Sequence, residues 1–480
     1  MDTASHPGLT RPDKTRREFL KLAGGLGLAA GVVAAAPPAF AEKLKNVQMA
    51  RSLSSKATIV AAFNGTQASK TQLELAKQFE AKYPGVQVKF AGYPAPDWNG
   101  FFAKVLTQLA AGEQIDAVNV ATEGVQLFAN EGLAKPLDDY VKRDKADLRA
   151  FFDDVNPILI EAMMYQGSLF LLPTDFNAGN IFYDTSLFEK AGIARPADNW
   201  DQADFVNIVK HFANKQGAVG WDWVVRLWGS WTSWMYANDA NLLAEGRWPG
   251  GSWLWDEFYP GPAAPYKTGG YRWGEPTAND PATVEALQFM IDLKKQGIAP
   301  QPDLGGGGTL QGLFASNHIA TTIGGGFWAG GLHAAGMKPG SFDVQYFPKW
   351  KVQKMLFGTA GYAMLKKSQN PDAAWEFLKF ITSPNSVNLL VGAKAGNVST
   401  PARRSLCTAA AYSPTGPKHW QVFYDSLDKF PNTTAIPAPS YYEAENTAFI
   451  ARTTQALSSG DAKSALDGLQ SDLEKLYKKS

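Results

Sequence analysis

The first half of the chain alternates between short apolar runs and stretches with one apolar face. Residues 57–63 form an apolar, partly β-branched run that predicts a buried strand, and residues 71–82 place apolar side chains at helical spacing. Residues 86–90 alternate as a second strand, and residues 99–130 continue the same rhythm. Strand–helix alternation with short turns predicts an α/β fold with a mostly parallel sheet that helices cover on both faces.

Two later stretches have the character of extended chain. Residues 169–183 hold two apolar runs around a polar centre, and residues 355–365 form a second run that contains Gly358 and Gly361. Extended segments of this kind suit a chain that passes between compact lobes. The sequence therefore predicts two lobes joined by crossing strands, followed by a helical segment over residues 441–479.

The N-terminus has the pattern of an export signal. Arg16-Arg17 precedes an uncharged stretch rich in Gly and Ala over residues 22–39, which closes with the small-x-small sequence Ala39-Phe40-Ala41. Paired arginines in this setting are typical of twin-arginine export. We therefore expect residues 1–41 to be a cleaved signal peptide, residues 42–56 to be a flexible lead-in, and the mature protein to be periplasmic. The alternative is a transmembrane anchor, for which the stretch is short and weakly apolar.

Charge and cysteine content narrow the function classes. The chain has 46 Lys and Arg against 45 Asp and Glu, so it lacks the broad field that favours binding to nucleic acid or anionic lipid. One cysteine, Cys407, excludes a disulfide framework and a cysteine-rich metal site. We expect a monomer with no cofactor, no metal ion and no nucleic-acid partner.

Catalytic motifs are missing or incomplete. The glycine run at 305–308 lacks the Gly-Lys-Ser/Thr ending of a phosphate-binding loop, and neither a Gly-x-Ser-x-Gly elbow nor a His-Glu-x-x-His motif occurs. Acidic pairs such as Asp138-Asp139 could be offered as glycosidase carboxylates, but such pairs usually face solvent or begin helices. The residues thus supply no specific catalytic motif, and an extracellular carbohydrate-active enzyme is a less favoured hypothesis.

Tryptophan is the unusual feature of the composition. Ten of the 15 tryptophans lie between Trp200 and Trp273, in a region that Gly and Pro interrupt and that we expect to be rich in loops. Trp228 and Trp231 are three residues apart and could fill a core or form the wall of a binding site. Because a buried indole N–H needs a hydrogen-bond partner, both tryptophans are candidate ligand-binding residues.

Several motifs resemble one known family when they are taken in order. They are Gly132–Asp138, Leu172–Asp184, Ala320–Trp328 and Gly361–Ser383. At these places the chain is similar to the extracellular solute-binding proteins of the maltose-binding type, which are the periplasmic receptors of ABC importers. The resemblance implies a two-lobed periplasmic-binding-protein fold of type II, with ligand in the cleft between the lobes and membrane permease subunits as partners.

The crossings and the resemblance together define the expected domains. The N-terminal lobe is predicted to comprise residues 57–173 and 359–400, and the C-terminal lobe residues 178–355 and 401–480.

The resemblance also implies where ligand binds, and the second crossing and the tryptophan cluster add further candidates. The predicted ligand-binding residues are Asn64, Thr66, Glu123, Asp175, Asn177, Trp228, Trp231, Trp328, Tyr362, Arg403 and Tyr442. The glycines at 324–326 are expected to let the loop before Trp328 approach the ligand closely. The alternative for Trp328 is that its indole fills the interior of its own lobe. Tyr441-Tyr442 resembles the tyrosine pair of iron-binding receptors, and packing at a helix start is the alternative.

These residue types suit a sugar. Indole rings cover the C–H faces of a pyranose, while Asp, Glu and Asn hydrogen-bond to its hydroxyl rim. We therefore expect an oligosaccharide or glycoside that is delivered to an ABC permease. A polyol, glycerol phosphate, polyamine or iron ligand on the same fold is the second hypothesis.

Overall fold

The computed structural model describes residues 57–213, 217–261, 267–304, 308–430 and 432–479. The predicted signal peptide and lead-in lie outside the described residues. None of the helices within these ranges has the length and apolar character needed to cross a membrane.

The strands, numbered along the chain, are as follows. They are β1 (Ala57–Phe63), β2 (Val86–Gly92), β3 (Ala117–Ala121), β4 (Met164–Tyr165), β5 (Ser168–Leu169), β6 (Leu171–Ala178), β7 (Asn180–Asp184), β8 (Val219–Asp222), β9 (Val224–Val225), β10 (Leu243–Arg247), β11 (Tyr271–Pro276), β12 (Asp303–Leu304), β13 (Ile319–Gly324), β14 (Phe342–Gln345), β15 (Leu356–Met364), β16 (Thr400–Pro401) and β17 (Thr434–Ala435).

The helices are numbered in the same way, and two short 3₁₀ turns cover Ala393–Ala395 and Arg404–Leu406. They are α1 (Lys70–Lys82), α2 (Trp98–Ala110), α3 (Thr122–Asn130), α4 (Asp138–Arg143), α5 (Lys145–Phe152), α6 (Pro157–Glu161), α7 (Thr185–Ala191), α8 (Gln202–Lys210), α9 (Trp231–Ala237), α10 (Ser252–Phe258), α11 (Pro281–Lys295), α12 (Gly308–Ala315), α13 (Phe327–Ala334), α14 (Pro371–Ile381), α15 (Pro384–Leu390), α16 (Ala409–Tyr412), α17 (Gln421–Asp428), α18 (Tyr442–Ser459) and α19 (Ala462–Tyr477).

Local signals in the sequence account for many of these boundaries. Ser69 accepts a hydrogen bond from the Gln72 backbone N–H, and the Gln72 side chain accepts one from the Ser69 backbone N–H, so a capping box begins α1. Asp184 caps α7 through the backbone N–H groups of Ser186 and Leu187. That helix ends at Gly192, whose φ of 69° lies in the left-handed region that glycine tolerates best.

Two sheets carry the fold, which confirms the α/β prediction. In the larger sheet the order is β16-β6-β15-β3-β1-β2, and β17 pairs with β15. In the smaller sheet the order is β14-β7-β13-β8. Strands β2, β1 and β3 run parallel, as expected, but β15 is antiparallel to both β3 and β6. The prediction of a mostly parallel sheet is therefore wrong for the larger sheet, because the second crossing, β15, runs between β3 and β6 in the direction opposite to both.

The two crossings link the sheets. Only Gly179 separates β6 of the larger sheet from β7 of the smaller one. The second crossing, β15, pairs along β6 from Phe357 opposite Ala178 to Ala363 opposite Leu171. A methyl group added at Gly361 would lie 2.2 Å from the Leu172 carbonyl oxygen, so only glycine fits at this close approach of the two strands.

The tryptophan-rich region is more ordered than the predicted loops. Strands β10 and β11 pair antiparallel, and α10 lies between them; we call the described residues 243–261 and 267–276 the inserted hairpin. The hairpin packs against α5 and α6 beside the larger sheet. Arg247 Nε donates to Glu161 Oε1 at 2.8 Å, and the Phe258 ring stacks on Phe152 at 3.9 Å. Many of its aromatic residues therefore serve this packing rather than a binding site.

Candidate functional site

A cavity of about 570 Å³ lies beside the crossing strands. Its lining comes from the ends of β1 and β3, from both crossings, from the segment before α9, from the first residue of α13 and from α18. The aromatic lining residues are Phe63, Trp98, Trp228, Phe327, Tyr362 and Tyr442. The polar and charged ones include Asn64, Gln72, Asp97, Asn99, Asn119, Glu123, Thr174, Asp175, Asn177, Arg226, Ser399 and Asn446. Aromatic faces with interspersed polar groups are typical of a small-molecule site.

The carboxyl ends of the parallel strands supply one wall. Asn64 follows β1, and its Oδ1 accepts the Ala95 backbone N–H at 2.9 Å, which holds the loop that begins α2. Asp97 caps α2 by accepting the Gly100 N–H at 2.8 Å. Glu123 lies in the first turn of α3, directly after β3, and is 7% exposed. The strand-end position brings these side chains to one edge of the sheet.

The first crossing supplies a connected set of polar groups. Ser399 Oγ donates to Asp175 Oδ2 at 2.6 Å, and Asn177 Nδ2 donates to Ser399 Oγ at 2.9 Å. Asn177 Oδ1 accepts the Phe327 backbone N–H at 3.1 Å, at the start of α13. This chain of hydrogen bonds fixes Asp175 and joins the crossing to the helix that carries Phe327.

Trp228 and Phe327 form an aromatic corner, with ring centroids 5.5 Å apart and planes inclined by 57°. Arg226 Nε donates to the Trp228 carbonyl oxygen at 2.7 Å and supports the turn before α9. A methyl group added at Gly358 would lie 3.2 Å from Trp228 Nε1. The indole edge thus packs directly against the second crossing, which sets its position in the cavity.

Helix α18 presents its first turns to the cavity. Tyr442, Asn446 and Ile450 are four residues apart and line it together. Glu445 and Phe449 belong to the buried side of the helix, where Phe449 stacks on Trp231. The C-terminal segment therefore contributes one face of a helix to the site.

Burial dominates the electrostatics of the lining. Burial raises the pKa of Glu123 to about 7, against the opposing effects of its own backbone N–H and of Arg226. Burial also raises the pKa of Asp175 to about 6, although hydrogen bonds from Ser399 and Thr174 favour its ionised form. It lowers the pKa of Arg226 to about 10. The wall thus holds carboxylates whose charged form is unfavourable in the cavity as it stands.

The structure brings seven of the predicted site residues together at the cavity. They are Asn64, Glu123, Asp175, Asn177, Trp228, Tyr362 and Tyr442. Four others lie outside its lining: Thr66, Trp231, Trp328 and Arg403. Thr66 is exposed, and its carbonyl oxygen packs against Gly92.

The two tryptophans outside the lining are interior residues. Trp231 is 0% exposed, stacks on Phe449 at 5.5 Å and donates its indole N–H to Thr453 Oγ1 at 3.0 Å. Trp328 is 2% exposed and packs between Phe182 and Phe314. For Trp328, this placement favours the alternative that the indole fills the interior of its lobe, and ligand stacking by Trp328 stays a prediction.

Arg403 is a structural residue in this arrangement. Its Nε donates to the Thr382 carbonyl at 2.6 Å, and its Nη1 donates to the Ala150 carbonyl and to Asp154. These bonds join the end of α14 to α5 and to the segment that follows it. The physical reason for the misplacement is that a buried guanidinium needs several acceptors, and backbone carbonyls supply them here.

The glycines before Trp328 also have a different role from the predicted one. A methyl group at Gly325 would lie 2.6 Å from Asn177 Cβ, and one at Gly326 would lie 1.9 Å from Thr400 Oγ1. The glycines therefore permit close packing of α13 against the first crossing rather than approach of a ligand.

Sequence reasoning missed several lining residues. Asp97 caps α2 and Trp98 begins it, a few residues after the end of β2. This position after a strand was the signal in the sequence that could have indicated them. Phe327 directly precedes Trp328, and adjacent positions on a helix start point in different directions. Asn119, Arg226, Ser399 and Asn446 carry no motif, so only tertiary contacts reveal them.

The two sheets, the crossings and the cavity beside them define the class of two-lobed solute-binding proteins. Residues 64–387 match the family described as bacterial extracellular solute-binding protein, and the chain belongs to that family. This match confirms the family resemblance found in the sequence. The family comprises substrate-binding proteins rather than enzymes.

Individual relatives agree with this placement. A Brucella abortus protein described as a binding protein is 33% identical over 129 residues, which cover 27% of this chain and 29% of the relative. A maltotriose-binding protein of Pyrococcus abyssi is 23% identical over 326 residues, 66% of this chain and 60% of the relative. The matches thus span well under the full length of these curated relatives.

A solved structure shows the same fold. An ABC substrate-binding protein of Listeria monocytogenes, in complex with cycloalternan, superposes with a TM-score of 0.70 at 20% identity. The superposition covers 88% of this chain and 99% of the Listeria chain. The two-lobed α/β architecture is therefore confirmed.

Proposed function

We propose that this protein is the substrate-binding component of an ABC importer and that it carries a carbohydrate in the cavity beside the crossings. The observation that carries the proposal is the lining itself. Six aromatic side chains offer faces for sugar C–H groups, and the Asp, Glu and Asn side chains between them offer hydrogen-bonding groups for hydroxyls. Relatives described as binding maltotriose and cycloalternan support the same ligand class.

We propose that the seven predicted site residues that line the cavity bind the ligand. We add Trp98, Arg226, Phe327 and Asn446 to that set because they share the same lining. Ligand is expected to close the predicted lobes about Thr174–Ala178 and Phe357–Tyr362. The inserted hairpin follows the larger sheet in this motion, because Arg247 and Phe258 anchor it to α5 and α6.

Delivery to a permease and export through the twin-arginine pathway complete the proposal. The family is extracellular by description, which supports export from the cytoplasm. Arg16→Lys with Arg17→Lys should leave precursor in the cytoplasm, measured by cell fractionation. Normal periplasmic accumulation of this variant would contradict the routing but leave the binding function in place.

A thermal-shift screen of the mature protein against a sugar library tests the ligand class. A sugar at 100 times its Kd should stabilise the protein by about 2.7 kcal/mol. Small-angle scattering with the strongest hit should then show a smaller radius of gyration. Stabilisation by glycerol phosphate or iron and by no sugar would replace carbohydrate with the second hypothesis. Product formation from labelled oligosaccharides would instead indicate an enzyme.

A further inference from the structure

The charged side chains in the cavity lining are mostly acidic. Asp97, Glu123 and Asp175 contribute three carboxylates, and Arg226 is the one basic side chain among the described lining residues. Arg226 favours the ionised form of Glu123, so these two charges offset each other. Two carboxylates therefore remain in excess, one at the exposed start of α2 and one on the first crossing.

Asp175 has neutral partners only among the described residues. Its oxygens accept hydrogen bonds from Ser399 Oγ at 2.6 Å and from Thr174 Oγ1 at 3.1 Å. Neither hydroxyl carries a charge, and no described Lys or Arg forms an ion pair with Asp175. A carboxylate withdrawn from water in this way is stabilised strongly by a cation that reaches it.

Two acceptors of the lining lack a side-chain donor among the described residues. Asn446 Oδ1 is buried and has no hydrogen-bond partner within the described ranges, and no described side chain donates to Glu123. By contrast, Asn119 and Asn177 already donate their amide N–H groups to the Gly361 carbonyl and to Ser399. A hydroxyl brings one donor and two acceptors, whereas an ammonium group brings three donors and no acceptor. Acceptors without a donor therefore suit an ammonium group, which brings donors only.

The aromatic walls suit the same group. The Arg226 guanidinium lies 5.3 Å from the centroid of the Trp228 ring and occupies that face, so the aromatic faces left for a ligand cation are those of the other lining residues, such as Tyr362 and Tyr442. Tyr362 lies close enough to Asp175 for the two groups to influence each other electrostatically. A positive charge in the cavity would meet π faces and a carboxylate together.

We propose that the bound carbohydrate carries a protonated amino group that Asp175 holds. The inference rests on the proposed carbohydrate function and narrows its substrate class to amino sugars and other basic glycosides. Neutral sugars satisfy fewer of the acceptors, and uronates meet the excess of carboxylates, so affinity should fall in the order amino, neutral, acidic.

Matched sugar series test this order by calorimetric titration of the mature protein. The probes are glucosamine, glucose and glucuronate, the same three forms of galactose, the disaccharides chitobiose (with free amines) and cellobiose, and putrescine as an amine without a sugar. The amino member of at least one series should bind tenfold or more tighter than its neutral counterpart, with the uronate weakest. A neutral sugar that binds as tightly as its amino counterpart overturns the inference and leaves the proposed function standing.

The remaining outcomes separate the two claims. Binding of putrescine with no binding of any sugar would sink the carbohydrate function and keep the amine preference. Failure of every probe would count against both.

Single substitutions test whether Asp175 is the source of the preference for amino sugars. Asp175→Asn should weaken binding of the amino sugar by about 30-fold. It should change the affinity for the neutral counterpart by less than threefold. Asp139→Asn removes an exposed carboxylate in α4 outside the cavity and should change neither. If Asp175→Asn fails to fold, Glu123→Gln should still reduce the amino-to-neutral preference several-fold. An unchanged preference in both cavity variants contradicts the assignment.

Discussion

Two pairs of aromatic residues in this protein are neighbours in sequence but differ in their surroundings. Trp228 and Phe327 line the cavity, whereas Trp231, three residues after the first, and Trp328, directly after the second, are interior residues. Trp228 lies three residues before α9, which Trp231 begins, whereas Phe327 begins α13 and Trp328 is its second residue. A step of one to three residues near the start of a helix therefore turns a side chain from the cavity to the core.

The difference is one of hydrogen bonding as well as burial. Trp231 donates its indole N–H to Thr453, and its ring stacks on Phe449, so its surroundings are complete without ligand. Trp228 has one edge against Gly358 and another toward the cavity. Interior aromatics should thus matter mostly for stability, and cavity aromatics mostly for binding.

The largest effect is expected when an interior aromatic residue is removed. Trp328→Ala should lower the free energy of unfolding by about 3–5 kcal/mol, because it leaves a cavity between Phe182 and Phe314. Chemical denaturation of the apo protein measures the loss. Trp328→Phe retains most of the volume and should lose less. A fully stable Trp328→Ala protein that no longer binds ligand would reverse the comparison.

Removing an aromatic residue of the cavity should reduce ligand affinity more than it reduces the stability of the apo protein. Trp228→Ala should weaken ligand binding by about 2–4 kcal/mol, the range for a buried aromatic anchor. Its effect on apo stability should be smaller than that of Trp231→Ala, which serves as the matched interior control. Calorimetric titration and apo melting on both variants check this. Equal affinity in wild type and Trp228→Ala would remove the residue from the site.

A third test measures whether the ionised Glu123 side chain in the cavity lining lowers the free energy of unfolding. The pKa of Glu123 is raised from 4.5 to about 7 in the fold, so its ionised form is disfavoured there. The loss of folding stability caused by ionising Glu123 in the fold is absent below about pH 4.5 and complete above about pH 7. Glu123→Gln should therefore gain on the order of 2–3 kcal/mol over wild type between pH 5 and pH 8. Denaturation at both pH values measures the gain, and a gap that does not widen with pH would contradict it.

The smallest expected effect comes from the contact between the second crossing and Trp228. Gly358→Ala adds a methyl group 3.2 Å from Trp228 Nε1, so the indole must shift by a few tenths of an ångström. Affinity should fall by about 1 kcal/mol, the low end for overpacking, with little change in melting temperature. Gly312→Ala offers a control, because that glycine lies in α12 outside the lining and a methyl group there meets no neighbour within 4 Å. A loss of stability without loss of affinity would show that the contact is structural only.

Much of the fold was predictable because local rules decided it. The strand Ala57–Phe63 and the helices near 71–82 and 281–296 follow from apolar periodicity and from Ser, Asp, Pro and Gly at their ends. The crossings were predictable for the same reason, since polar residues and glycines interrupt two apolar runs. Strand direction in the larger sheet was not, because pairing depends on how distant segments meet.

Part of the candidate site also followed from the sequence. Asn64, Glu123 and Asp175 lie at strand ends or on a crossing, which are positions that sequence order and the family resemblance indicate. Trp231, Trp328 and Arg403 have residue types that suit a ligand site equally well, so residue type alone could not show that they lie outside the cavity lining. Their partners, such as Thr453 and Asp154, are distant in sequence.

The sequence by itself determined the class of protein, the order of its elements and the kinds of side chain available for a sugar. These features depend on local periodicity, on capping and turn residues and on motifs within a few positions of one another. The tertiary structure alone decided which aromatic residue of each neighbouring pair faces the cavity and which carboxylates lack a cation. Those outcomes depend on contacts between segments hundreds of residues apart, such as Asp175 with Ser399, and no short stretch of sequence encodes them.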